Sequence, residues 1–321
     1  MFIRTLQAQR GIAALAVVFH HAAMGTSSFS GEIPASIESV FHYGYLGVDF
    51  FFVLSGFIIY YAYFQTKPTV RHFVIARARR IYTPYLPIGI AIAIAYVFLP
   101  SLSGSAREWA WLPTLTLLPS FDPPALSVAW TLQHELVFYG VFCLFAAMNQ
   151  IKVGMALWSG SIFIFLLAGL SFEGPEKLLL APINLEFSMG MCIAIYYLSG
   201  RAVAWIPTCV LGMLFIGLFF LLGADRDLSP LFGLGVSFFI LLFVDLERNE
   251  KISPGKLSVF IGSASYLIYL LHNPAISITS RLADGWVSGL FFGVVAGTAT
   301  GCLYYLLIEK PSLSMFRKKI K

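Results

Sequence analysis

Charge is what this sequence has least of: Asp, Glu, Lys and Arg make up 12% of its 321 residues, about half the share found in soluble domains. No polar stretch is long enough to form a soluble domain, which excludes a separate water-exposed module. Cysteine is also scarce. Cys143, Cys192, Cys209 and Cys302 stand singly in apolar runs with no CxxC pair. A disulfide framework and a thiolate metal site are therefore not expected, and the four read as small buried hydrophobes. There is no G-x-S-x-G elbow and no Walker A glycine loop, which removes two common nucleophile and nucleotide arrangements. The formal charge of +5 is not a nucleic-acid signature, because the basic residues cluster in a few loops between apolar runs. The N-terminal apolar core runs into His20-His21 without a small-residue cleavage site, so it reads as a retained first span rather than a signal peptide.

Hydrophobicity is what remains: 58% of residues, with a mean hydropathy of +0.81. Apolar runs long enough to cross lipid fall near 11–26, 46–64, 84–100, 127–148, 154–171, 179–198, 204–223, 229–246, 257–277 and 286–308. The fold expected is an all-α membrane protein, a polytopic bundle of about ten transmembrane helices in one integral domain over 1–321. Arg71, Arg77, Arg79, Arg80, Arg201, Arg248 and the Lys- and Arg-rich tail then fall in cytoplasmic segments, placing both termini inside. The short run Trp109 to Leu118, bounded by Pro113 and Pro119, would reverse that pattern if it crossed. The stretch 101–126 is accordingly expected at the outer face, re-entrant or lying on the membrane.

Ionisable groups inside such spans are costly and therefore point to function. Arg10 and His21 are eleven residues apart, about 1100° of helix, so they share a face roughly 16 Å apart. His20 lies roughly 80° off that line and reads as a structural neighbour. The expected topology brings His21, Asp49, Glu135 and His272 to similar depths on four spans, and a site is expected there. His134-Glu135-Leu136-Val137-Phe138 begins like a zinc-protease HExxH helix, but the second histidine position is Phe138, so no metal is expected. Glu135 and Tyr139 share a helix face. A histidine with a carboxylate partner suits general-base catalysis. Ser55-Gly56 reads as a close helix contact. Arg71 through Tyr85 reads either as an interfacial amphipathic helix or as a polyphosphate clamp, since arginine forks match phosphate oxygens.

Taken in order, these motifs resemble the acyltransferase type 3 family, membrane-bound O-acyltransferases of bacterial surface glycans, and its exopolysaccharide acetyltransferase branch in particular. Leu6-Gln7-Ala8-Gln9-Arg10-Gly11 with His21 resembles the family's basic-residue-x10-His motif. Gly47 to Phe57 (GVDFFFVLSGF) resembles its second-span signature, and Arg80-Ile81-Tyr82 with Pro84-Tyr85 its loop motif. Trp130-Thr131-Leu132 through Glu135 resembles its W-S-L-x-x-E pattern, with threonine where serine is usual. Glu186-Phe187 with Gly190-Met191, Tyr266 to His272, and Glu309-Lys310-Pro311 continue the likeness over essentially the whole chain.

The resemblance implies a cytoplasmic acyl-CoA donor, acetyl-CoA or another, and a sugar hydroxyl of a surface glycan or lipid-linked sugar as acceptor. Arg77, Arg79 and Arg80, with Tyr82, would bind the donor, with Arg10 near its path. His21 would act as general base, oriented or steadied by Glu135; a covalent acyl-histidine is the alternative route. Asp49, Ser55, Trp130, Tyr139 and His272 would bind acceptor or support the site. The implied setting is a multi-pass protein of the bacterial plasma membrane. Its further partners would be a second copy of itself or polysaccharide assembly proteins. A transporter or flippase for a glycan or lipid-linked sugar is the rival of another class, and a non-catalytic export scaffold a third.

Overall fold

The computed structural model describes residues 2–100, 108–170 and 173–311, and no strand occurs among them. In chain order the helices are α1 (Arg4–Phe29), α2 (Ala35–His42), α3 (Gly47–Thr66), α4 (Val70–Phe98), α5 (Trp111–Thr116), α6 (Trp130–Ala147) and α7 (Ile151–Leu167). They continue with α8 (Glu176–Leu180), α9 (Leu185–Leu198), α10 (Trp205–Leu221), α11 (Ser229–Arg248), α12 (Lys256–Leu282) and α13 (Trp286–Tyr304). Seven helical segments are long and apolar enough to cross a membrane, and α7 and α10 are shorter apolar helices. The architecture is that of an all-helical, multi-pass membrane protein.

α1 is the centre of the bundle, packed most extensively on α12 and also against α13, α3 and α11. Its first-turn amides have no partner within the helix, and Glu247 at the end of α11 supplies one. Arg4 N donates to Glu247 Oε1 at 2.9 Å and Thr5 N to Oε2 at 2.7 Å. The Thr5 hydroxyl donates to the same carboxylate.

Association in lipid rests on close packing more than on the hydrophobic effect, which favours small residues at crossings. At the α1–α12 crossing, a Cβ on Gly262 would stand 1.7 Å from the Gln7 carbonyl oxygen. α3 and α9 cross through a reciprocal pair. A Cβ on Gly56 would meet the Phe187 carbonyl oxygen at 1.9 Å, and one on Gly190 the Val53 oxygen at 1.9 Å. α13 turns Gly289, Gly293, Gly297 and Gly301 inward, one every four residues, onto α1 and α12. The close-contact reading of Gly56 therefore holds, and it extends to a set of crossings.

Three expectations need correction. The run 179–198 is not one helix: Pro182 starts a short 3-10 turn, leaving the five-residue α8 and the 14-residue α9. The span expected at 84–100 starts earlier: Arg71 to Tyr85 is helical, as one of its two readings had it, and forms the first half of α4, which continues through Pro84 and Pro87. Thr69 caps that helix by accepting from His72 N at 3.3 Å. Tyr266 Oη donates to the Ile81 carbonyl at 3.1 Å, which ties α12 to this part of α4. The cysteines are not buried: Cys192 is exposed and the other three are intermediate. As expected of the short run Trp109 to Leu118, α5 is too short to cross. It folds back along α4, where Tyr85 Oη donates to Thr114 O at 2.8 Å and Tyr82 Oη donates to Thr116 O. Tyr82 lies sixteen residues before the end of α4, about 24 Å down the helix. The described part of 101–126, residues 108–126, is thus re-entrant, and Gln133 of α6 donates to Leu118 O at 3.0 Å to hold its tip.

Candidate active site

Two cavities lie along the bundle, each lined by residues of α1, α4 and α12. The first, about 120 Å³, is lined by Arg10 of α1, Ser55 of α3, Arg77 and Arg80 of α4, Glu135 and Tyr139 of α6, and Tyr266 of α12. Two spacings put these groups there. Arg77 and Arg80 are three apart on α4, Glu135 and Tyr139 four apart on α6, and each pair shares a helix face. Tyr139 donates its phenol proton to Glu135, and Arg80 pairs with Glu309 at 3.0 Å. Three arginines face two carboxylates, so one positive charge is unbalanced. Arg77 lies with its guanidinium carbon 5.5 Å from the Phe73 ring centre. Its Nε is buried without a hydrogen-bond partner among the described residues. An orphaned guanidinium N–H in a net-positive cavity fits an anionic ligand such as a phosphate.

The second cavity is a vestibule of about 520 Å³ lined by His21 of α1, Tyr96 of α4, Trp109, Ser127, and Asn273 and Arg281 of α12. Its chemical centre is a histidine pair. His272 is fully buried, and its Nδ1 lies 2.8 Å from Tyr269 O and 3.2 Å from Ile268 O. Two carbonyl acceptors assign the proton to Nδ1 and leave Nε2 an acceptor. That Nε2 lies 3.2 Å from His21 Nδ1, which is also 3.0 Å from Val17 O. His21 therefore carries its proton on Nδ1, shared between the carbonyl and His272. Its Nε2 lone pair makes no hydrogen bond among the described residues. An imidazole fixed in one tautomer, with the basic nitrogen free beside a vestibule that also carries Ser127 and Asn273, is an arrangement for proton abstraction.

A family model for an acyltransferase domain matches residues 4–307. The exopolysaccharide production protein ExoZ of Rhizobium meliloti (strain 1021) is 32% identical over 305 residues, covering 87% of this chain and 92% of the relative. This chain belongs to the acyltransferase type 3 family. Acyltransferase MdmB of Streptomyces mycarofaciens is 24% identical over 370 aligned positions, covering 98% of this chain and 92% of the relative. Protein 2 in the picA locus of Rhizobium radiobacter is 29% identical over 188 residues, or 51% of this chain and 92% of that protein. No solved structure matches the chain.

The acyltransferase motifs do not meet at a single point. His21 and His272 come together, but the carboxylate expected beside His21 is elsewhere: Glu135 lines the arginine cavity. Asp49 joins neither. It is fully buried, 3.5 Å from Arg226 Nη1, beside Glu186, which accepts from Ser229 at 3.3 Å. Asp49 lies about 120° around α3 from the pocket-lining Ser55, so similar depth did not mean the same site. Arg79 and Tyr82 also leave the cavity. Arg79 is exposed on α4, and Tyr82, about 200° beyond Arg80, holds the re-entrant segment instead. Trp130 sets its ring edge-to-face on His134, centroids 5.7 Å apart, and lines neither cavity. His20 turns to Phe41 O at 3.2 Å, with His42 and Tyr45 around it. Adjacent residues of α1 thus serve separate neighbourhoods.

Sequence reasoning left Tyr269, Asn273 and Glu309 without individual roles. Tyr269 and Asn273 follow Tyr266 at three and seven residues, a helical spacing that marks a shared face of α12.

Proposed function

We propose that this acyltransferase moves an acyl group, acetyl in the first instance, from cytoplasmic acyl-CoA to a hydroxyl of an exopolysaccharide or other surface-glycan sugar at the outer side of the membrane. The observation that carries the reading is the pair of cavities along α1, α4 and α12, one net-positive with an unsatisfied arginine and the other holding a free imidazole base. In this reading the single domain crosses the bacterial plasma membrane ten times with both termini inside. The arginine cavity then opens toward the cytoplasm and the vestibule outward. The exopolysaccharide role in the name of the Rhizobium meliloti relative supports the class of acceptor, and no metal is invoked.

The chain's own groups supply the chemistry. Arg77 and Arg80 hold the donor's phosphates by charge-assisted hydrogen bonds, with Arg10 along the donor's path. His21 Nε2 takes the proton of the sugar hydroxyl as its oxygen attacks the thioester carbonyl. The C–O bond forms, the C–S bond breaks, and the leaving thiolate recovers the proton from His21. During the step His272 Nε2 accepts from His21 Nδ1–H and keeps the ring oriented, while its own Nδ1–H is held by the Tyr269 carbonyl. Asp49, with Arg226 and Glu186, braces the α3–α9–α11 junction.

Transfer of label from acetyl-CoA to extracted surface glycan by the purified protein tests the reading. A glycan carrier, the rival that two cavities closed off from one another also suit, would move the glycan and leave it unlabelled. The arginines give a finer test. Replacing Arg77 and Arg80 by glutamine is expected to raise KM for acyl-CoA by about tenfold to a hundredfold, the range for lost hydrogen bonds to a charged group. Arg79→Gln, on the other face of α4, should leave KM unchanged. Equal damage from all three would show general surface attraction rather than a cavity.

A further inference from the structure

The two cavities share no lining residue, and one thin layer lies between them. Along α12, Tyr266 lines the arginine cavity, Tyr269 closes its far end, and His272 stands beyond, each step rising about 4.5 Å. Across from them on α6, Glu135 and Thr131 make the same ascent toward Ser127. The layer is the Tyr269 phenol, the Thr131 hydroxyl and the Phe51 ring, all at the end of the arginine cavity. Phe51 meets Tyr269 edge-on with centroids 5.9 Å apart, and Tyr269 lies 5.7 Å from the His272 ring.

We propose that Tyr269, latched to Thr131 and backed by Phe51, is the gate that the acyl group passes on its way to His21, and that the space its ring vacates limits the acyl chain to a short one. The proposal rests on the acyl-CoA reading above. The latch is a single hydrogen bond. Thr131 Oγ1 lies 2.9 Å from Val128 O and 3.1 Å from Tyr269 Oη, so its hydroxyl relays the phenol to the Val128 carbonyl. Val128 O itself lies 3.5 Å from Tyr269 Oη, too far to add a firm second tie. The bond that aligns His272 is made to the Tyr269 backbone oxygen, not to its side chain. The ring can therefore swing while the histidine pair stays in register. A methyl group attached to the thioester carbonyl is smaller than the displaced ring and fits the space it leaves. A longer chain would press on Phe51, whose own ring packs in the bundle.

The test compares acetyl-CoA, butyryl-CoA and hexanoyl-CoA as donors to extracted surface glycan, for wild type, Tyr269→Phe, Tyr269→Leu, Tyr269→Ala and Phe51→Leu. Tyr269→Ala is expected to raise the hexanoyl-to-acetyl rate ratio by about tenfold or more, the discrimination that misfit of a methylene or two commonly carries. Tyr269→Leu and Phe51→Leu should shift it the same way, and they carry the test if the alanine variant does not fold. Tyr269→Phe keeps the ring and should keep the ratio. A ratio unchanged across these variants, with acetyl still transferred by wild type, would overturn the gate alone. No transfer from any donor by wild type would overturn the acyl-CoA reading and the gate together. A structural defect at Tyr269 would lower all three rates without moving their ratio, which also counts against the gate.

Discussion

His21→Ala is expected to reduce acyl transfer by about 10²–10⁴-fold, the usual contribution of a positioned general base, at unchanged protein level and unfolding temperature. The expectation rests on the tautomer chain that runs from the Tyr269 carbonyl through His272 to His21 Nδ1 and leaves Nε2 free. His272→Ala should give a smaller loss, because the ring of His21 keeps its bond to Val17 O at 3.0 Å but loses the acceptor that steadies the imidazolium. His20→Ala should remain active, since that ring is turned to the Phe41 carbonyl. The decisive measurement is the three variants side by side with labelled donor. Full activity in His21→Ala would remove the base from the mechanism. Loss confined to His20→Ala would move the chemistry to the neighbouring cluster with His42 and Tyr45.

The second large effect is on folding. Gly56→Val is expected to destabilise the protein by at least about 3 kcal/mol, at or beyond the upper end of ordinary overpacking. The atom a Cβ would strike is the Phe187 backbone oxygen at 1.9 Å, with the Phe187 carbonyl carbon at 2.7 Å behind it. No rotamer change can relieve a clash between two backbones, so α3 and α9 must part. That separation would also disturb Asp49 and Glu186, which the same two helices hold together. Thermal unfolding in detergent should show a midpoint lower by roughly 6–10 °C. Gly140→Ala is the matched control: a Cβ there meets nothing within 4 Å. A Gly56→Val midpoint equal to that of the control would mean the crossing is looser than its distances say.

The sequence made some of this legible and withheld the rest for identifiable reasons. The phase of α1 was readable because an uninterrupted helix turns 100° per residue, and His20 and His21 do face different neighbours. The glycine and motif pattern was sufficient to identify the family. Depth, however, carries no direction around a helix axis. Asp49, Glu135 and His21, expected at similar depths, belong to three different sets of contacts, and Glu135 lies in the other cavity from His21. Arg79 and Tyr82 were grouped with Arg77 and Arg80 by their place in one motif, without regard to helix phase. Once α4 runs unbroken from Val70, the spacing of three between Arg77 and Arg80 selects that pair. The partner of His21 lay 251 residues away on α12, and a separation of that kind is set by helix packing rather than by any local pattern.

The carboxylate that closes the start of α1 ties the first helix to a late one. Glu247 is 242 residues beyond Thr5, so during synthesis the leading amides of α1 wait for most of the chain before their acceptor exists. Until then the turn that precedes Arg10 is free to fray, as helix ends without partners do. A ribosome product that stops short of α11 therefore lacks a finished donor end as well as its last helices. Synthesis of α11, rather than insertion of α1, is the event that closes the turn preceding Arg10.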